Sequence, residues 1–216
     1  MLPWRGQTRQ MLTKPFYMGL FEVTQKQWEL VTGENPSSRK GETRPVDRVS
    51  YDMIRGNKKG AEWPASGDVD KSSSLGKLRM KSGIAFDLPT EAQREYACRA
   101  GTTTKYSYGN KADGDYMWYN DNSGQTSHEV GMKKPNPWGF YDMHGNVGEW
   151  CLDRYVERSL PYGEDPVGSS SGSDRVYRGG GWNSSETYCT SFCRNYESPS
   201  TSDRSDIGFR LSSPIP

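Results

Sequence analysis

The stretch from Arg178 to Leu211, RGGGWNSSETYCTSFCRNYESPSTSDRSDIGFRL, most constrains what this chain can fold into. Its ends are rigid in character: Gly179-Gly180-Gly181-Trp182 opens it and Ile207-Gly208-Phe209-Arg210-Leu211 closes it. Between Asn183 and Asp206 every residue except Glu186 and Glu197 is Ser, Thr, Tyr, Asn, Asp, Phe, Cys, Arg or Pro. Such a stretch has almost no aliphatic surface with which to bury itself. The fold must therefore carry it between two anchors, as a contact surface on a fixed frame.

The rest of the 216 residues has to supply that frame. Hydrophobic residues make up only 32%, but 7 Trp and 13 Tyr are among the residues available, and large rings bury much area each. With 24 Gly and 13 Pro, turns are frequent. The expectation is an α+β domain, loop-rich, with small antiparallel sheets and two main helices, running as one unit over 1–216. Acids and bases are interspersed and the net charge is +1, which lacks the basic footprint of a nucleic-acid binder. No apolar run reaches transmembrane length, and MLPWRGQTRQ has no apolar core of a secretory signal. Membrane association is thus expected only through a removed signal or an anchor outside this chain.

Along the chain, Phe16 to Phe21 is a strand candidate. Glu22 to Gly33 reads as a helix capped by Thr24 and ended by Gly33, with Val23, Trp28 and Val31 as its apolar face. Residues from about 56 to 82 are polar and weakly periodic, and read as an exposed insertion. Thr90 precedes a second helical run that Gly101 should end. Thr102 to Asn136 is aromatic and turn-rich without helical pattern. Cys98, Cys151, Cys189 and Cys193 are too sparse for a disulfide scaffold and lack zinc-site spacing. One buried disulfide and plain core thiols are both open readings.

Several pieces in fixed order carry a resemblance: Phe16-Tyr17-Met18-Gly19, Leu88-Pro89-Thr90-Glu91-Ala92, Glu95-Tyr96-Ala97-Cys98-Arg99-Ala100-Gly101-Thr102, Tyr141-Asp142-Met143, Gly145-Asn146-Val147, Glu149-Trp150, Arg178-Gly179-Gly180 and Gly208-Phe209-Arg210. Together they resemble the formylglycine-generating (sulfatase-modifying factor) family, which implies a C-type-lectin-like fold. Two departures stand out. Gln93-Arg94 occupies the place of an acid-Trp pair, and Gly148 replaces a Trp, which removes a large buried side chain.

The resemblance also implies chemistry to look for. The family's oxidases use two cysteines beside the substrate groove, as thiol exchanger and copper ligands, and soft thiolates suit Cu(I). The corresponding positions here are Ser184 and Cys189. A serine hydroxyl is neither a soft ligand nor a good leaving group, so no copper and no catalytic residue are expected. The resemblance allows a disulfide from Cys98 to the C-terminal region, with Cys193 the nearer match to the family's partner. Asp142, Gly145, Val147 and Glu149 match a structural calcium site, where a tight turn offers hard oxygens.

Within the fold, the 178–211 segment is most similar to variable proteins diversified by retroelements. Adenine mutation of Asn-type codons there yields small, polar and aromatic residues. The expected ligand-binding positions are Asn183, Ser184, Ser185, Thr187, Tyr188, Ser191, Phe192, Cys193, Tyr196, Ser198 and Ser200. Tyr188, Phe192 and Tyr196 would give rigid contact area and the serines adaptable hydrogen bonds, the mixture antibody paratopes use. The reading is a non-catalytic binding protein at the cell surface or outside the cell, with a protein or other macromolecule as partner. A formylglycine-type oxidase is the competing reading. Sugar binding through calcium ranks below both, because the Glu-Pro-Asn and Trp-Asn-Asp triplets are missing.

Overall fold

A computed structural model describes residues 10–56, 63, 69–157 and 163–215. Its centre is a four-stranded sheet ordered β6-β5-β3-β7, built from β3 (Gly148–Arg154), β5 (Arg175–Arg178), β6 (Asn195–Glu197) and β7 (Ile207–Gly208). β3 pairs antiparallel with β5 and parallel with β7, and β6 runs antiparallel along β5. β3 is buried from Gly148 to Asp153, which explains its lack of polar alternation. The ends of the chain meet in an antiparallel pair, β2 (Phe16–Met18) with β8 (Ser212–Pro214). β1 (Gln10–Met11) runs parallel to β4 (Gly163–Glu164). The small sheets thus hold antiparallel pairs, as expected, together with two parallel ones, β1 with β4 and β3 with β7.

Four α-helices lie among the described residues: α1 (Gln25–Thr32), α2 (Tyr51–Arg55), α3 (Ser74–Ser82) and α4 (Glu91–Arg99). α1 and α4 are the two expected from sequence. Thr24 and Thr90 each close a capping box with a Gln three residues on, Gln27 and Gln93. Gly33 ends α1 in the left-handed region at φ 90. α4 stops one residue earlier than expected, at Ala100 with φ 47, and Gly101 continues the turn at φ 87.

α3 corrects the expectation of an exposed insertion over 56–82. Ser73 caps it, Gly83 closes it, and Leu75 is buried in the core. Its pattern is faint because only Leu75, Leu78 and Met80 are large and apolar. Residues 57–62 and 64–68 of that stretch lie outside the described residues.

The main core gathers Trp28, Val46, Val49, Tyr51, Ile54, Leu88, Trp150, Leu152, Ile207 and Phe209. Trp150 is its pivot: it meets Tyr51 and Tyr177 edge to face, and its Nε1 donates to the Val49 carbonyl at 3.0 Å. Buried rings with a satisfied polar tip supply more than area alone. The space left by Gly148 is taken by Tyr177, whose ring lies 2.7 Å from where a Cβ at 148 would stand.

Candidate functional site

The frame of the C-terminal segment is polar and buried. Glu91 and Glu95 of α4 both bind Arg178 of β5, which is 2% exposed. Glu91 also takes a bidentate pair from Arg194 at 2.6 and 2.8 Å. Glu149 of β3 takes two guanidiniums: Arg94 at 3.0 and 3.2 Å and Arg210 at 2.9 Å to each oxygen. Removing one partner of such a buried pair costs about 3–5 kcal/mol, because the other charge stays buried and unpaired.

The glycines at the segment's entrance are there for space. Gly179 and Gly180 sit at φ 96 and 70. A Cβ on Gly180 would stand 2.7 Å from Cys189 Sγ. Trp182 then locks the entrance to its exit: its Nε1 donates to Ser205 O at 2.8 Å and its backbone N–H to Asn146 O at 2.7 Å.

From this frame three rings project. Tyr188, Phe192 and Tyr196 are each 53% exposed. Tyr196 stacks on Tyr155 with ring centres 4.2 Å apart, and the Arg194 guanidinium lies over the other aromatic partner, Tyr155, at 5.1 Å. Asn183, Thr187 and Ser200 are exposed; Ser185 and Ser198 are half-buried. Ser185 Oγ lies 2.9 Å from Thr187 Oγ1, and Ser198 Oγ 3.1 Å from Ser200 Oγ.

Three expected contact positions belong to the frame instead. Ser191 is 4% exposed and donates its backbone N–H to Lys105 O at 2.8 Å. Ser184 is half-buried in a turn: its Oγ accepts from Gly181 N–H at 3.0 Å and its carbonyl from Asn120 N–H at 3.0 Å. Cys193 is half-buried and its carbonyl accepts from Arg178 at 2.6 Å. Composition could not separate these from their exposed neighbours, because serine serves both turns and surfaces.

Two parts of the face have no local signal in the segment. Tyr155 comes from the end of β3. Asn120 and Asp121 are exposed on a loop tied to the segment by the Asn120–Ser184 bond, while the Tyr106 hydroxyl donates to Glu186 O at 2.9 Å.

The four cysteines are free, with Cys98, Cys151 and Cys189 buried. Burial, with lesser pushes from Cys193 and Glu186, raises the Cys189 thiol to about 12. A thiolate nucleophile or copper ligand needs the opposite shift. Cys98 lies 3.6 Å from His144 Nε2, which accepts the Ser107 N–H at 3.1 Å. The His144 proton therefore sits on Nδ1, facing Cys189 O at 2.7 Å.

The residues expected to hold calcium answer in two ways. Asp142 Oδ2 accepts from Gly131 N–H at 2.7 Å, while Oδ1 is buried without a hydrogen-bond partner. Glu149 has both oxygens committed to Arg94 and Arg210. Burial alone would raise its carboxyl; the Arg210 and Arg94 charges outweigh that and hold it below the ordinary range. A divalent ion about 4 Å from a guanidinium meets repulsion of roughly 8 kcal/mol at an effective dielectric of 20. Asp142, Gly145, Val147 and Glu149 as arranged do not fit a calcium cage, because Glu149 has no free lone pair to offer. The guanidiniums come from positions 94 and 210, beyond the reach of the local spacing that suggested the site.

Comparison with known proteins agrees with this architecture. The sulfatase-modifying factor enzyme 1-like domain matches residues 5–214. The chaperone protein LppX of Paenibacillus barcinonensis is 34% identical over 206 residues, covering 79% of this chain and 70% of LppX. The formylglycine-generating enzyme of Mus musculus is 33% identical over 141 residues, but the chain spans only 38% of that enzyme's length. Among solved structures, Treponema denticola variable protein 1 superposes with a TM-score of 0.77 at 31% identity, covering 93% of this chain and 84% of that one. PvdO from Pseudomonas aeruginosa has the same fold, with a TM-score of 0.75 at 24% identity over 94% of this chain and 82% of its own. The chain belongs to the sulfatase-modifying factor enzyme 1-like domain family.

Proposed function

We propose that this chain is a non-catalytic binding protein that presents the 183–200 segment to a protein partner at the cell surface. The observation that carries this reading is the pairing of opposites in one segment. Tyr188, Phe192 and Tyr196 are half exposed, while Cys189, Thr190 and Ser191 between them are buried. Large rings held out from a fixed backbone supply contact area at low entropic cost, and such rings dominate binding energy where they reach a partner pocket. The likeness to a protein whose name marks it as variable supports reading the exposed positions as the diversified ones, generated by a retroelement. Ser184 at the place of the enzymes' first cysteine, and the raised Cys189 thiol, support a face without oxidase chemistry or copper. Among the described residues no helix is long and apolar enough to cross a membrane.

A display library tests the reading, with Asn183, Ser185, Thr187, Tyr188, Phe192, Tyr196, Ser198 and Ser200 randomised in the whole chain. The expected result is that most clones fold and that binders to unrelated protein targets can be selected. Failure of most clones to fold would contradict it. Oxidation of a cysteine-containing peptide by the purified chain, lost in Cys189→Ala, would return it to the oxidases. A reverse transcriptase gene beside the coding region, with an imperfect repeat of its last part, is the expected genomic setting for diversification.

A further inference from the structure

The turn 142–149 is the place where the family resemblance implies a metal, and the side chains around it are unusual. Arg94, 2% exposed, reaches across from α4 to make three contacts there: both Glu149 oxygens, at 3.0 and 3.2 Å, and the Met143 carbonyl at 2.9 Å. Arg210, fully buried, binds the same carboxylate and also the carbonyls of Gly19, Leu20 and Tyr141 at 2.8 to 2.9 Å. A carboxylate plus backbone carbonyls of a tight turn is the donor set that a hard cation collects. Here Arg94 takes the carboxylate and one carbonyl of the turn, that of Met143, while the carbonyls that Arg210 takes lie outside it.

The fit of Arg94 is built from several positions. Gly179, at φ 96, leaves the room: a Cβ there would stand 2.6 Å from the Arg94 guanidinium nitrogen and 3.4 Å from the Met143 carbonyl. Gly145 N–H donates to the Gly179 carbonyl at 2.8 Å, tying that strand end to the turn. On the far side Glu22 closes the turn, accepting from Val147 N–H at 3.1 Å and Asn146 Nδ2 at 2.7 Å. The turn is thus held from three sides by side chains of this chain alone.

We propose that the Arg94 guanidinium serves as the resident cation of this turn, so that the chain holds its 142–149 turn, and with it the base of the C-terminal segment, without a divalent metal. Arg94 stands where the family pattern carries a Trp, which can donate one hydrogen bond but brings no charge. The substitution places a permanent positive charge against Glu149. Calcium binding and Arg94 are then alternatives for one carboxylate.

Thermal melting of the whole chain in calcium chloride and in chelator tests this, with terbium luminescence as a direct probe of ion binding. For wild type the expected difference between the two melts is under about 1 °C, and no saturable terbium signal is expected. Arg94→Gln leaves Glu149 with Arg210 as its one cation, opens one lone pair on each carboxylate oxygen, and should acquire a calcium-dependent rise of roughly 5 °C or more at calcium well above its Kd. If that variant folds only when calcium is present, the inference is equally supported. A wild-type melt raised by calcium and returned to baseline by Asp142→Asn would overturn it. So would an Arg94→Gln protein whose melting and terbium response are the same as wild type.

Discussion

Two regions of this molecule use polar residues in opposite ways. Around Glu149 and Glu91, the charges of Arg94, Arg178 and Arg210 are buried and that of Arg194 nearly so, and Glu149 and Glu91 are each shared between two of them. Along 183–200 the polar groups are mostly short hydroxyls, among them the Ser185–Thr187 and Ser198–Ser200 pairs, and the three large rings face outward. The first region gives a unique backbone path, because an unpaired charge there is expensive. The second tolerates change, because little of its side-chain surface is spent on the fold. The two regions interleave in sequence, and Arg194 lies between Phe192 and Tyr196 yet belongs to the buried network.

The comparison can be broken most easily at its buried end. Glu149→Gln removes the anion between Arg94 and Arg210, and a loss of about 3–5 kcal/mol is expected, lowering the melting point by roughly 10 °C. Arg194→Met should come next, at about 2–3 kcal/mol, although it lies in the middle of the displayed segment, since Arg194 is only 13% exposed at its side chain. Calorimetry on both variants would check the order. Equal losses at Arg194 and at Phe192 would erase the distinction drawn here. Gly180→Ala, at φ 70 and against Cys189 Sγ, is expected to cost about 1–3 kcal/mol.

The buried acids also make stability depend on pH. Burial raises Asp153, as does neighbouring Glu91, and burial likewise raises Asp47 to about 6. A carboxyl whose folded pKa is raised contributes stability that is full below the ordinary range and is lost as pH rises through the folded value. The melting point should therefore fall between about pH 4 and pH 7, and Asp153→Asn should flatten that fall. Glu149 and Glu95, which are lowered, act in the other sense and lose their contribution as pH drops below the ordinary carboxylate range. A profile that rises from pH 5 to 7 would mean the buried acids are paired more fully than the geometry indicates.

The sequence reveals much of the frame because its cues are local. Thr24 and Thr90 announce α1 and α4, and Gly-Gly-Gly-Trp is recognisable as a rigid entrance to the segment. α3 escapes because its apolar positions are few and its polar face resembles a loop. The exposed aromatic positions are legible as rings in a stretch without aliphatic neighbours. What hides Ser191 and Ser184 is that serine looks the same in a turn and on a surface. The fate of Glu149 is hidden by distance, since Arg94 is 55 residues and Arg210 61 residues away.

The smallest stability effects are expected on the displayed rings, and there the account stands or falls. Thermal melting of the chain carrying Tyr188→Ser, Phe192→Ser and Tyr196→Ser together is the direct measurement. Exposed substitutions away from buried features usually stay within about 0.5 kcal/mol each, so the triple variant should melt within roughly 5 °C of wild type. A drop as large as that expected for Glu149→Gln would show that the three rings hold the fold together, and that 183–200 is not a face carried by a separate frame.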